Sequence, residues 1–249
     1  MANKIKIDNA LLKRQKRKEA KKHPAKKISC RVLIVCEGSK TEPNYFEQFR
    51  KGENDHFVYD IECEGKGLNT IGVVDAAIAK KAAAEKTPTP YDSVWAVFDR
   101  DSFSKARFNA AIKKAQAHGI EVAWSNEAFE LWYLYHFHNR ITAMKREEYK
   151  NAISEAVNKS GKWKERKIYR YAKNDKRNYD IMTRYGNIEQ AIKWAKEQNE
   201  AFDGEQYADH NPCTLVYRLV LQLLDRDQKL IQQVMSKIYC DAANKKTVI

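Results

Sequence analysis

Between residues 31 and 126, short apolar runs alternate with stretches whose apolar positions recur every three to four residues. "RVLIVCEG" is a β-branched run closed by Glu37 and Gly38, and "TEPNYFEQFRK" after it has helical spacing. Thr41 stands where an N-cap belongs, with Pro43 tolerated in the first turn. "FVYDIECEG" alternates as a strand does, and "NTIGVVDAAIAKKAAAEK" follows as a helix capped by Asn69 or Thr70. "TPTP" at 87–90 ends that helix, because proline lacks an amide donor and constrains the residue before it. Residues 92–98 form the third strand. Ser102 or Ser104 then caps a helix through "KARFNAAIKKAQAHG", Gly119 stops it, and "IEVAWS" is the fourth strand.

Parallel strands need a crossover element between them, so this alternation predicts an α/β fold: a mostly parallel four-stranded sheet with helices on its faces. Ligands gather at the carboxyl ends of such strands. Beyond residue 127 the spacing is helical throughout, in "EAFELWYLYHF", "REEYKNAISEAV", "NIEQAIKWAKEQNEAF", "CTLVYRLVLQLL" and "RDQKLIQQVMSKIYC". The expected organisation is a basic, flexible arm over 1–30, an α/β core over 31–126, and a helical C-terminal region over 127–249 packed on that core.

Charge sharpens this picture at one end. The chain has 249 residues and a formal net charge of +13, yet residues 1–31 hold 12 Lys and Arg against two acids. Such an arm cannot bury enough apolar surface to order itself, and it suits a polyanion such as nucleic acid. No apolar run reaches the length of a membrane span and the N-terminus lacks a secretory apolar core, so a cytoplasmic protein is expected. Five scattered cysteines, none in a CxxC pair, read as reduced thiols rather than disulfides or a zinc ribbon.

The candidate chemistry lies where two strands end in acid. Glu37 follows Val32–Cys36, and Asp99 and Asp101 follow Val94–Phe98 in "VWAVFDRDS". In a parallel sheet these tips share one edge, and an i, i+2 spacing on extended backbone points both aspartates to one side. Three converging carboxylates repel one another unless a hard cation neutralises them, and Mg²⁺ (or Mn²⁺) takes oxygen ligands and retains substrate phosphate oxygens. Gly38 leaves room beside Glu37 for close approach of a ligand. Lys40, Arg100 and the start of the helix at Thr41 are candidates for gripping a phosphate backbone. A second "DRD" at 225–227 lies between helical stretches and reads as a break capped by Asp225 or Asp227.

The Glu37-Gly38 strand end, followed some sixty residues later by Asp99-Arg100-Asp101, resembles the Toprim signature of topoisomerases, bacterial primases, small RNA-maturing nucleases and overcoming-lysogenization-defect nucleases. "VLIVCEGSKTEPNYF", "VWAVFDRDSF", "AWSNEAFELWYLYHF" and "NPCTLVYRLV", spanning most of residues 31–222, resemble more closely the RloB-like family of restriction and phage-defence loci. The resemblance implies a Toprim-like fold, divalent-metal chemistry on nucleic acid, and an anti-phage role beside an AAA or ABC-type ATPase partner. By position it implies Glu37 as acid or base, with Asp99 and Asp101 as metal ligands. Toprim enzymes often continue the DxD motif with an acid or glycine; here Ser102 and Phe103 follow.

Glu130 is the candidate additional ligand, with Glu127 its rival three residues earlier on the same helical face. Ser125 and Asn126 either cap that helix or hold a phosphate. His136 and His138, two apart on a helix, do not face each other and are poor metal ligands. Trp132, Tyr133, Leu134 and Tyr135 read as packing. "KWKERKIYRYAKNDKRNY" interleaves Lys162, Lys164, Arg166, Lys167 and Arg170 with Trp163, Tyr169, Tyr171 and Tyr179, which suits either backbone contacts with base stacking or a solvated helical face. The expected function is a metal-dependent endonuclease acting on RNA, transfer RNA or DNA. The alternative is a non-catalytic nucleic-acid-binding or sensor subunit of an ATPase-containing complex. The chain itself lacks the GxxxxGK[ST] signature, so ATP hydrolysis would belong to another chain.

Overall fold

A computed structural model describes residues 28–51, 57–65, 68–101 and 103–236. The basic arm expected over 1–30 lies outside the described residues except for its last three positions, which already belong to the first strand. Strands β1 (Ile28–Cys36), β2 (Phe57–Gly65), β3 (Ser93–Asp99) and β4 (Glu121–Ser125) form one sheet in the order β2-β1-β3-β4, every pair parallel. The register sets Cys36 of β1 opposite Gly65 and Val97, and Asp99 of β3 opposite Ser125.

Around the sheet run α1 (Thr41–Phe46), α2 (Thr70–Ala84), α3 (Lys105–Ala117), α4 (Glu130–Tyr135), α5 (Tyr149–Lys159), α6 (Asn178–Tyr185), α7 (Ile188–Glu200) and α8 (Val216–Leu223). This is the expected α/β, Toprim-like arrangement of a parallel sheet flanked by helices, with a helical C-terminal half. Among the described residues no helix is long and apolar enough to cross a membrane.

Local chemistry explains several of the boundaries. Asn69 caps α2, accepting the Gly72 amide at 2.8 Å, and Ser104 caps α3. Gly119 ends α3 at φ 62°, a conformation that glycine enters without steric cost. Asp227 caps the helical turns at 228–236 by accepting the Lys229 and Leu230 amides, each at 3.1 Å. Thr41 is a correction: α1 has no side-chain cap, and the Thr41 hydroxyl instead donates to the Lys173 carbonyl at 3.1 Å. A long-range tie has taken the hydroxyl that a local cap would use.

Central strands β1 and β3 are buried on both faces, from Val32 to Cys36 and from Val94 to Phe98. The helical half shares that core through Trp132, Tyr133, Tyr135, Val216, Leu219 and Leu223. Gln222 of α8 anchors the amino end of β3, its Oε1 accepting from Trp95 Nε1 at 2.9 Å and Ser93 Oγ at 3.0 Å. Cys36, Cys63 and Cys213 are free thiols; Cys36 and Cys63 lie 3.7 Å apart at sulfur, well beyond a covalent bond.

Two further expectations change. The stretch from 162 to 177 is irregular rather than a solvated helical face, and its aromatic residues are not a stacking platform. Tyr169 and Tyr171 are buried, Trp163 packs on Tyr169 and Tyr185, and Tyr179 packs on Tyr45 and Phe49. Those rings recur because they cover the core beneath an irregular segment. Likewise α4 starts only at Glu130. Glu127 lies before it at φ 70°, so the two acids share no helical face.

Candidate active site at the carboxyl edge of the sheet

Parallel pairing of β1 and β3 brings their carboxyl ends together, and two hydrogen bonds fix the result. The Glu37 amide donates to the Val97 carbonyl at 2.9 Å, and the Asp99 amide donates to Glu37 Oε2 at 3.1 Å. Asp99 is the last residue of β3 and only 5% exposed. Asp101, two residues on at φ 44°, sits in the turn that leaves the strand.

Arg146, on a short 3₁₀ turn over Arg146–Glu148, lies across this edge. Its Nη1 is 2.9 Å from Asp101 Oδ1 and its Nη2 is 3.4 Å from Asp99 Oδ2. Glu130, the first residue of α4, is 5% exposed; it accepts from Tyr171 Oη at 3.0 Å, and Lys173 Nζ stands 3.8 Å away. Glu42 completes the cluster from α1 and is 3% exposed. Its charge, with that of Glu130, acts on Asp99.

Two glycines make this geometry possible. A Cβ on Gly38 would stand 2.3 Å from Glu42 Oε2, so the space beside Glu37 serves the chain's own Glu42 carboxylate rather than an approaching ligand. A Cβ on Gly65 would stand 2.2 Å from the Gly38 carbonyl oxygen and 2.5 Å from Ser39 Cα. Backbone cannot yield as a side-chain tip does. Gly65→Ala is therefore expected to push the 37–39 turn off the sheet edge and to destabilise the fold by about 1–3 kcal/mol, as overpacking does. Urea denaturation checks the second outcome, and an unshifted midpoint refutes it.

Burial dominates the electrostatics. It lifts Glu37 to about 7, against the pull of the Asp99 amide and with a push from the charges of Glu42 and Asp101. It raises Asp99 well above the usual carboxylate range, reinforced by Glu42 and Glu130 and opposed by Arg146 and Lys173. Glu42 is raised for the same first reason. Packed carboxylates with two basic side chains among them form a pocket whose native state resists full ionisation.

Of the sequence-predicted residues, Glu37, Asp99, Asp101 and Glu130 come to this one edge. Arg100 is turned to Glu127, 3.5 Å between Nη1 and Oε1, and Lys40 is exposed at the start of α1. Lys162, Lys164, Arg166, Lys167 and Arg170 are exposed on the irregular segment, and Lys162 Nζ donates to the Gly186 carbonyl at 3.2 Å. None of these five has a carboxylate of the cluster as a partner; the basic member of that stretch that reaches the cluster is Lys173, beside Tyr171. Ser125 and Asn126 do not cap α4. The Ser125 hydroxyl pairs with Thr214 at 2.8 Å, and Asn126 Nδ2 donates to the carbonyls of Ala208 and His210. His136 is buried with Nδ1 on the Trp132 carbonyl, and burial lowers it to about 4.

Sequence reasoning missed Glu42, Arg146, Tyr171 and Lys173. Only Glu42 carried a signal, since it lies in the "TEP" block two residues after Lys40.

The donor set fits a hard divalent cation by its chemistry. All its donors are oxygens, and Glu42 Oε2 and Glu130 Oε2 are buried without a hydrogen-bond partner. Among the described residues no three His, Cys, Asp or Glu side chains are already grouped as a metal site, and Arg146 bridges the two aspartates that would begin one.

A family model described as RloB-like protein matches residues 32–223. No curated protein and no solved structure matches the chain. The matched region takes in the sheet from Val32 within β1 onward and every member of the carboxylate cluster, and on that match the chain belongs to the RloB-like family.

Proposed function

We propose that the chain is a metal-dependent nuclease that hydrolyses phosphodiester bonds of nucleic acid. The observation that carries the reading is the Asp99 amide on the Glu37 carboxylate, which locks acids from β1 and β3 side by side at the edge where ligands of parallel sheets bind. Asp99 and Asp101, with Glu37 beside them, would hold Mg²⁺ or Mn²⁺, which polarises a phosphate and lowers the pKa of an attacking water. Glu37, raised to about 7, can take up and return a proton near neutral pH, as general acid–base work requires. The exposed Lys162, Lys164, Arg166, Lys167 and Arg170 supply sequence-independent phosphate contacts, as does the exposed Lys40. The family's place in restriction and phage-defence loci supports a cytoplasmic effector role beside an AAA or ABC-type ATPase.

One observation favours a second reading. Arg146 already neutralises Asp99 and Asp101, as a structural acid pair in a non-catalytic binding or sensor subunit would need. Labelled RNA and DNA incubated with purified protein and Mg²⁺, Mn²⁺ or a chelator separate the two. Metal-dependent strand breakage is the expected outcome; binding without breakage, with or without the ATPase, selects the second reading.

A further inference from the structure

We propose that Arg146 is a tethered counter-cation that latches the acid edge shut, competing directly with the divalent ion for Asp99 and Asp101. This rests on the nuclease reading and concerns how that same site is held at rest.

The guanidinium is a planar fork suited to gripping one carboxylate with two parallel hydrogen bonds. Here it is splayed over three acceptors: Asp101 Oδ1 at 2.9 Å, Asp99 Oδ2 at 3.4 Å and the Glu127 carbonyl at 3.4 Å. Two of the three contacts lie at the long end of hydrogen bonding, so the side chain neutralises charge without being locked by geometry. The backbone under it is fixed: the Lys145 amide donates to Glu148 Oε2 at 2.7 Å, closing the turn that carries Arg146. Release would therefore be a side-chain rotation.

There is space for that rotation. A cavity of about 380 Å³ adjoins the cluster, lined by Arg146, Lys150, Tyr171 and Lys173 along with Glu130 and Glu147. A long side chain that is one-third exposed can leave the aspartates and remain over this cavity, whose lining offers it the carboxylates of Glu130 and Glu147. The charge argument runs the same way. A guanidinium and a divalent ion cannot both sit within contact distance of the same two carboxylates without repelling each other, so each lowers the other's occupancy.

The test is Mn²⁺ binding, followed by electron paramagnetic resonance, to chelator-stripped full-length wild type, Arg146→Gln and Asp99→Asn, with thermal midpoints recorded alongside. Arg146→Gln is expected to bind Mn²⁺ about tenfold or more tightly than wild type, from a less stable metal-free state, with a larger rise in midpoint on adding Mn²⁺. Asp99→Asn is expected to lose binding. Arg146→Lys, which keeps the charge but reaches only one carboxylate, should fall between wild type and Arg146→Gln, and it carries the test if Arg146→Gln does not fold. Equal Mn²⁺ affinity in wild type and the Arg146 variants, with loss in Asp99→Asn, overturns the latch and leaves the metal reading standing. No binding in any variant overturns both.

Discussion

Asp99→Asn is expected to lower nucleic-acid cleavage by about a hundredfold or more, the scale on which removal of one preorganised charged group acts, while raising the thermal midpoint of the metal-free protein. The two effects share one cause. Asp99 is buried beside Glu42 and Glu130, so its charged form is disfavoured in the folded state beyond what Arg146 and Lys173 offset. An amide keeps the shape and removes the charge, relieving the folded protein of that penalty. Each kcal/mol relieved raises the midpoint of a domain this size by about 2–4 °C. A carboxylate that the fold would be more stable without is one retained for its chemistry. Unchanged cleavage by Asp99→Asn would remove this residue from the reaction. A lowered midpoint would instead show that the pair with Arg146 outweighs the crowding of acids.

Glu37→Gln carries the second largest effect. A group that moves a proton in the transition state contributes about 10²–10⁴-fold, and loss on that scale is expected in cleavage. A second readout, with chelator present, concerns stability alone. The folded-state value of Glu37 is raised from 4.5 to about 7, so folding favours its protonated form. That contribution is fully present below about 4.5 and is lost as pH rises through about 7. His136, lowered from 6.5 to about 4, acts oppositely in the same range, since its contribution is lost as pH falls. The informative quantity is therefore the difference between wild type and Glu37→Gln. Denaturant midpoints measured from pH 4.5 to 7.5 should show the variant gaining on wild type as pH rises, and parallel curves would refute the assignment.

The strands were legible because a sheet buried on both faces needs continuous apolar runs, and "VLIVC" and "VWAVF" are such runs. Their acid tips were legible for the same reason: a parallel sheet puts strand ends on one edge whatever lies between them. What the sequence concealed is long-range. Arg146 stands 47 positions from Asp99 and Tyr171 stands 41 from Glu130, and neither sits in a periodic stretch that marks its partner. Thr41 and Ser125 have the chemistry of caps, yet each hydroxyl is engaged by a distant segment, at Lys173 and at Thr214. Spacing alone also misread Glu127, because a residue at positive φ interrupts a helix without altering its apolar pattern.

The partner of Ser125 bears on how the molecule can meet other chains. Thr214 bridges Ser125 antiparallel, the Leu215 amide donates to the Trp124 carbonyl at 2.8 Å, and the Asn126 amide donates to the Cys213 carbonyl at 2.8 Å. These three residues stopper the carboxyl end of β4, whereas β2 has β1 on one side and, among the described residues, no strand on the other. A chain that docks by strand addition would have to dislodge the stopper at the β4 rim, whereas at the β2 rim no further strand of the described residues stands in its way.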